Sequence, residues 1–293
     1  MSSDWLAGVF TDAHVCVSAE PRVELFVAET SSPPDRTLLV IHGGPDWDHS
    51  YLRDPLGELA EQRRLLLPDL RGCGRSTWGL AGEQYMWDLI VTDLLALLDA
   101  RDVQQSDVLG FSTGGLIAQR LALSAPERVR RLVIASSGVL PVPPDAFDGW
   151  QAREQRQAMA ARLKPDAHAI SGPELTRAWA NADAATDLWR TEMLPTYLKR
   201  LEAVRFSGEW TRLWLAGALP SARPDDALRR LADSGIPLLL LHGRQDMTFP
   251  VALSEQTARA IPEARAVVLE EAGHMAHIDQ PQQWLAALAD FLE

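Results

Sequence analysis

The sequence predicts an α/β fold: a mostly parallel, doubly wound sheet wrapped by helices, with a helical segment inserted late in the chain. Three observations predict it. Short apolar runs suited to buried parallel strands alternate with segments whose apolar residues recur at helical spacing. The rhythm stops after Ala135 and returns only at Pro237. From Leu140 to about Arg223 the chain is helical in composition and broken by Pro141, Pro143, Pro144, Pro165, Pro173, Pro195 and Pro220. An interruption of this kind argues for a lid over one end of the sheet.

Taken in order, His14 to Ser18 and Val23 to Ala28 read as two strands separated by the turn signal Glu20-Pro21, an opening hairpin. Ser31 to Asp35 is a polar loop. Thr37 to Ile41 is the first fully apolar strand and runs into His42-Gly43-Gly44-Pro45. Tyr51 to Glu61 is helical in pattern, and Arg64 to Leu67 is a strand stopping at Pro68-Asp69. A glycine-punctuated loop follows over residues 69–76. The clearest helix carries Trp87, Ile90, Val91, Leu94, Leu95 and Leu98, with Asp88 and Asp93 on its other side. It leads to an apolar strand ending at Gly110, a helix from Leu116 to Leu123, and a strand from Val129 to Ala135. Beyond the insertion come the strand Pro237 to Leu241, a helix from Val251 to Ile261, the strand Ala266 to Leu269, and a last helix from Pro281 to Leu292. Pro281 suits a helix start, where its missing N–H would be unpaired anyway. The expected division is a core over residues 1–139, a helical lid over 140–223, and the rest of the core over 224–293.

Composition bounds the partners. At 293 residues and 46% hydrophobic, the chain can bury a large core. A formal charge of −12 gives no Coulombic attraction to nucleic acid or to an anionic membrane, so neither is an expected partner; the small-molecule substrate expected instead follows from the chemistry below. Oligomeric state is open. Cys16 and Cys73 lie far apart without metal-ligand spacing and read as reduced thiols. Met1 to Thr11 lacks a basic start and a sustained apolar core, and no apolar run approaches the roughly 20 residues that span a bilayer. The expectation is a soluble, cytoplasmic protein.

The chemistry centres on Gly110-Phe111-Ser112-Thr113-Gly114, a G-x-S-x-G sequence between a strand and a helix. A turn tight enough to lift one side chain above the sheet crowds its neighbours, and residues without a Cβ relieve the crowding. Ser112 then stands at a helix N-terminus, where free N–H groups favour an oxyanion. A serine hydroxyl needs a base, and the base needs an orienting acid. Among the seven histidines, His274 has the best setting, following Gly273 between the last strand and the final helix. His14, His49, His168 and His277 read as surface or core residues, with His277 the nearest rival. Asp246 is the first carboxylate after the strand ending near Leu241, and Asp69, also behind a strand, competes for the acid's role.

The order Ser112, Asp246, His274 is that of an α/β-hydrolase triad. The chain resembles that family along nearly its whole length outside the lid. His42-Gly43-Gly44-Pro45, Asp69-x-Arg71-Gly72-x-Gly74-Arg75-Ser76, Gly110-x-Ser112-x-Gly114, Gly243-x-x-Asp246 and Gly273-His274 all stand in the family's order. The resemblance implies an oxyanion hole built from the N–H groups of Thr113 and Gly44, with His42 bracing the loop. A serine in place of an aspartate sets the chain apart from haloalkane dehalogenases and epoxide hydrolases. It implies acyl transfer without a metal or organic cofactor.

Residues 42–52 are similar to proline iminopeptidase-like hydrolases. Asp46 stands where those enzymes commonly have glycine, and Phe111 and Thr113 around Ser112 look more like small esterases. The leading expectation is therefore a hydrolase of small carboxylic esters or lactones. An aminopeptidase, with Glu192, Glu202 or Glu209 holding a substrate ammonium, is the second. A non-catalytic binding member of the fold is the third. Trp150, Trp179, Trp189, Trp210 and Trp214 crowd the insertion; most are expected to pack it against the core, and a minority to line an apolar pocket.

Overall fold

The computed structural model describes residues 8–31 and 34–293. Most of the Met1 to Thr11 stretch and part of the Ser31 to Asp35 loop lie outside the described residues. β1 (Thr11–Ala19) and β2 (Arg22–Glu29) form the expected antiparallel hairpin. β3 (Thr37–Ile41) leads through the His42 loop to a broken helical stretch containing α1 (Arg53–Leu56), and β4 (Arg64–Pro68) follows. The sequence pattern suggested one helix from Tyr51 to Glu61. The chain instead makes three short turns, because Asp54 precedes Pro55 and is held at φ −108°, ψ 121°, outside the helical region.

α2 (Trp87–Ala100), β5 (Ser106–Phe111), α3 (Thr113–Ser124) and β6 (Val129–Ala135) then alternate. The chain next leaves the sheet for α4 (Gln151–Leu163), α5 (Gly172–Asp187), α6 (Leu194–Ala203) and α7 (Glu209–Leu215). It returns through α8 (Ala227–Ser234), β7 (Leu238–Gly243), α9 (Val251–Ala260), β8 (Ala264–Leu269), α10 (Ala276–Asp279) and α11 (Pro281–Leu292).

The eight strands lie in the order β1-β2-β4-β3-β5-β6-β7-β8. β2 pairs antiparallel with both neighbours, and every pairing from β4 to β8 is parallel. The pleat sends successive side chains to opposite faces, so the core has two halves. Leu39, Ile41, Val108, Ile134 and Leu240 meet Ile90 and Leu94 of α2 and Ile117 and Leu121 of α3 on one face. Leu38, Val40, Leu109, Val133 and Leu239 meet Trp284 and Leu288 of α11 on the other. Both faces are covered, which is why these strands read as unbroken apolar runs. Among the described residues no helix is long and apolar enough to cross a membrane, and Cys16 and Cys73 are unpaired.

Parallel strands point their C-terminal ends the same way, so the loops after β3, β5, β7 and β8 gather at one edge. β5 lies between β3 and β6, near the middle of that edge.

Candidate active site

Ser112 sits directly after β5 with φ 53° and ψ −122°, a conformation few non-glycine residues adopt. The strain persists because the surroundings hold both ends: Ser112 N–H donates to Ala135 O at 2.9 Å, and Gly115 N–H donates to Ser112 O at 2.9 Å. The flanking glycines are required by space. A Cβ on Gly110 would strike the Gly114 carbonyl, and one on Gly114 would strike the carbonyls of Ile41 and His42.

The structure brings Ser112, His274 and Asp246 together. His274 Nε2 lies 3.0 Å from Ser112 Oγ, and His274 Nδ1 lies 3.0 Å from Asp246 Oδ2. A carboxylate can only accept, so the proton on a neutral His274 belongs on Nδ1 and Nε2 is free to accept from the serine hydroxyl. Asp246 Oδ1 accepts the N–H groups of Thr248 at 2.7 Å and Phe249 at 2.9 Å. Burial alone would raise the Asp246 carboxyl, but the charges and hydrogen bonds of His274 and His242 outweigh it and hold the group well below the usual carboxylate range. Burial likewise opposes a charged His274, yet Asp246, with a smaller contribution from Asp187, raises the imidazole above its ordinary value.

His242 was not singled out by sequence. Its Nε2 lies 2.8 Å from Phe249 O and 3.2 Å from Asp246 Oδ2, while Ser254 Oγ donates to Nδ1 at 3.0 Å. It approaches the same carboxylate oxygen as His274 and helps hold the acid in place. Asp69, the competing acid, lies elsewhere. It pairs with His49 and accepts the backbone N–H of Arg75 at 2.8 Å, a turn-holding role. His277 is buried among Tyr51, Phe111 and Trp284 with neither ring nitrogen hydrogen-bonded, and His14 and His168 are exposed.

His42 braces its loop as expected: Leu70 N–H donates to Nε2 at 3.0 Å, which leaves Nδ1–H for Gly43 O at 2.8 Å. Gly43 N–H donates to Tyr51 Oη at 2.8 Å. Gly44 has φ +95°, and a Cβ there would run into the Trp47 ring. Among the described residues, neither the Gly44 nor the Thr113 N–H makes a hydrogen bond, so both donors are available. Asp46 explains its own departure from glycine. At φ +75° it occupies a glycine-like turn, and its carboxylate receives Ser207 Oγ and the N–H groups of Trp210 and Thr211 at 2.7–2.8 Å, capping α7.

Ser112 and His274 open into a cavity of about 250 Å³. Its apolar side is Trp47, Tyr51, Phe111, Trp179 and Met275; its polar side includes Asp183 and Asp187 of α5 and Thr211 of α7. Trp179 is thus the insertion's one tryptophan in this lining. Trp210 is fully buried and stacks on Trp87 at 4.6 Å, whereas Trp214 is 62% exposed. None of Glu192, Glu202 and Glu209 lines the cavity; Glu192 pairs with Arg190, and Glu209 accepts the Tyr85 hydroxyl. Trp47, Asp183 and Asp187 were missed by sequence, because nothing local marks a helix face that meets a site distant in the chain. Among the described residues no group of His, Cys, Asp and Glu side chains is placed to hold a metal ion.

The chain is similar to known proteins over most of its length. The α/β-hydrolase fold family model matches residues 36–281. The 2-hydroxymuconate semialdehyde hydrolase of Pseudomonas sp. (strain CF600) is 32% identical over 87% of this chain and 86% of its own length. The pimeloyl-[acyl-carrier protein] methyl ester esterase of Aeromonas hydrophila is 30% identical over 80% of this chain and 87% of its own. A proline iminopeptidase-related protein of Thermus thermophilus superposes with TM-score 0.72 at 24% identity, covering 97% of both chains.

Proposed function

The chain belongs to the α/β-hydrolase family, and from that premise we propose that it is a serine hydrolase cleaving small carboxylic esters or lactones through an acyl-enzyme on Ser112. The observation that carries the reading is the unbroken relay from Asp246 through His274 to Ser112 Oγ, two contacts of 3.0 Å opening on a cavity. His274 takes the serine proton as Oγ attacks the carbonyl carbon, and the N–H groups of Gly44 and Thr113 receive the developing oxyanion. The imidazolium, held by Asp246, then protonates the leaving alkoxide. Water deprotonated by the same nitrogen releases the acid.

Esters and lactones are favoured because the cavity wall beside the nucleophile is apolar and aromatic. The named relatives act on a semialdehyde and on the methyl ester of a carrier-protein-bound acyl chain, which fits a carbonyl substrate. The test compares a short-chain aryl ester, a small lactone and proline arylamide, with Ser112→Ala as control. Ester or lactone turnover should fall to the buffer rate in Ser112→Ala while the melting curve stays within a few degrees. Serine-dependent release from proline arylamide alone would move the protein to the aminopeptidases, and turnover that survives Ser112→Ala would discard the nucleophile.

A further inference from the structure

Asp183 and Asp187 lie one turn apart on α5 and share a helix face. Both line the cavity above Ser112 and also a second one of about 320 Å³, bounded by Gln157, Lys164 and Thr248. The two carboxylates differ in compensation. Asp183 Oδ2 lies 2.7 Å from Lys164 Nζ. Asp187 accepts the Tyr197 hydroxyl at 2.8 Å, and among the described residues it forms no ion pair. No lysine or arginine lines the cavity above Ser112.

We propose that Asp187 selects the charge of the substrate: its carboxylate turns away anionic esters and draws a protonated amine or quaternary ammonium to the polar end of the cavity. The apolar part then rests against Trp47, Tyr51 and Phe111. This rests on the serine-hydrolase reading of Ser112. The groups facing Asp187 are Asp183 on its own helix, Tyr197 of α6, His274 after β8, Asp246 after β7 and Tyr51 after β3. Lys164 acts through Asp183. Burial pushes the Asp187 carboxyl up; His274 and the Tyr197 hydrogen bond oppose that, Asp183 and Asp246 add to it, and the group reaches about 6. It is ionised above that pH, and a charge partly shielded from bulk solvent acts on a bound charge more strongly than it would in water. A second carboxylate near His274 also explains part of the upward shift of the imidazole.

The experiment measures kcat/KM of the full chain and of Asp187→Asn on para-nitrophenyl esters of butyric acid (neutral), succinic acid (anionic) and γ-(trimethylammonio)butyric acid (cationic). At pH 8 the wild type should prefer the cationic over the anionic ester by about tenfold to a hundredfold, carried mainly by KM. Asp187→Asn keeps the shape and an acceptor for Tyr197, and should shrink that ratio to within about threefold. In the wild type alone the ratio should collapse as pH falls through about 6, a readout that needs no variant. A purely structural Asp187 would lower all three rates together, and that result, or serine-dependent turnover blind to charge, overturns the proposal. Absence of Ser112-dependent turnover on every ester would overturn the hydrolase reading, and the charge selection with it.

Discussion

At position 46 a non-glycine residue holds φ +75°, and three hydrogen bonds to its carboxylate make that affordable. Asp46→Ala keeps the strain and removes the bonds, so it should cost roughly 2–4 kcal/mol in urea unfolding and lower kcat by disordering the loop that carries Gly44. Asp46→Gly relieves the backbone and should cost less. Asp246→Asn keeps the contact geometry but loses the charge that sets the imidazole's tautomer and stabilises its cation. We expect ester turnover to fall about 10³–10⁴-fold. On the proposed mechanism the base is neutral His274, whose pKa is raised, so activity should rise with pH along a limb above the ordinary histidine range. A pH-rate profile checks this; a limb below pH 6 would contradict it. Ser112, His274 and Asp246 were legible in the sequence because each follows a strand and each carries a local glycine signal. His242 and Asp187 were not, since their importance lies in what folding sets beside them.

Among the elements, the core strands and the helices α2, α3, α9 and α11 were legible to within a few residues, while α4 to α8 had no individual bounds in the sequence pattern; β6 and α11 have the bounds their apolar patterns give. Residues 51–61 depart from their helical periodicity because Pro55 holds Asp54 outside the helical region. The contacts that seat the insertion were invisible, because they join parts remote in sequence. Arg71 makes a buried two-pronged pair with Asp93 of α2 at 2.6 and 2.7 Å, and Arg71 O accepts Trp210 Nε1 at 3.0 Å. The sequence placed Asp93 on the polar side of α2, but it is buried, having found a cation there. Asp93→Ala strands the guanidinium and should cost about 3–5 kcal/mol, read from chemical unfolding. Asp93→Leu with Arg71→Met should recover part of that loss. If Asp93→Ala unfolds like the wild type, the pair contributes nothing.

On the scale of the whole molecule, the carboxylates set opposite pH dependences. Asp246 has a depressed folded pKa, so its contribution is full above the unfolded value near 4 and is lost as pH falls through the folded one. Asp187 has a raised folded pKa of about 6, so it binds its proton more tightly in the folded state and stability declines as pH rises from about 4 through 6. Asp187→Asn should therefore stabilise the protein at pH 8 by at most roughly 3 kcal/mol, read as a higher melting temperature, and change it little at pH 4. Equal shifts at both pH values would refute the assignment. Charge, length and the alternation of strands and helices told the outline of this molecule from sequence, but not these opposite demands of two buried carboxylates. The capping of α7 by Asp46 has a consequence for anyone building chimeras. Replacing α4 to α7 by a foreign segment would exchange more than a wall of the cavity above Ser112. Unless the graft offers an N-terminal turn and a hydroxyl where Ser207, Trp210 and Thr211 now stand, it would leave a buried aspartate unanswered beside Gly44. Transplants should be chosen by that socket before they are chosen by the pocket they promise.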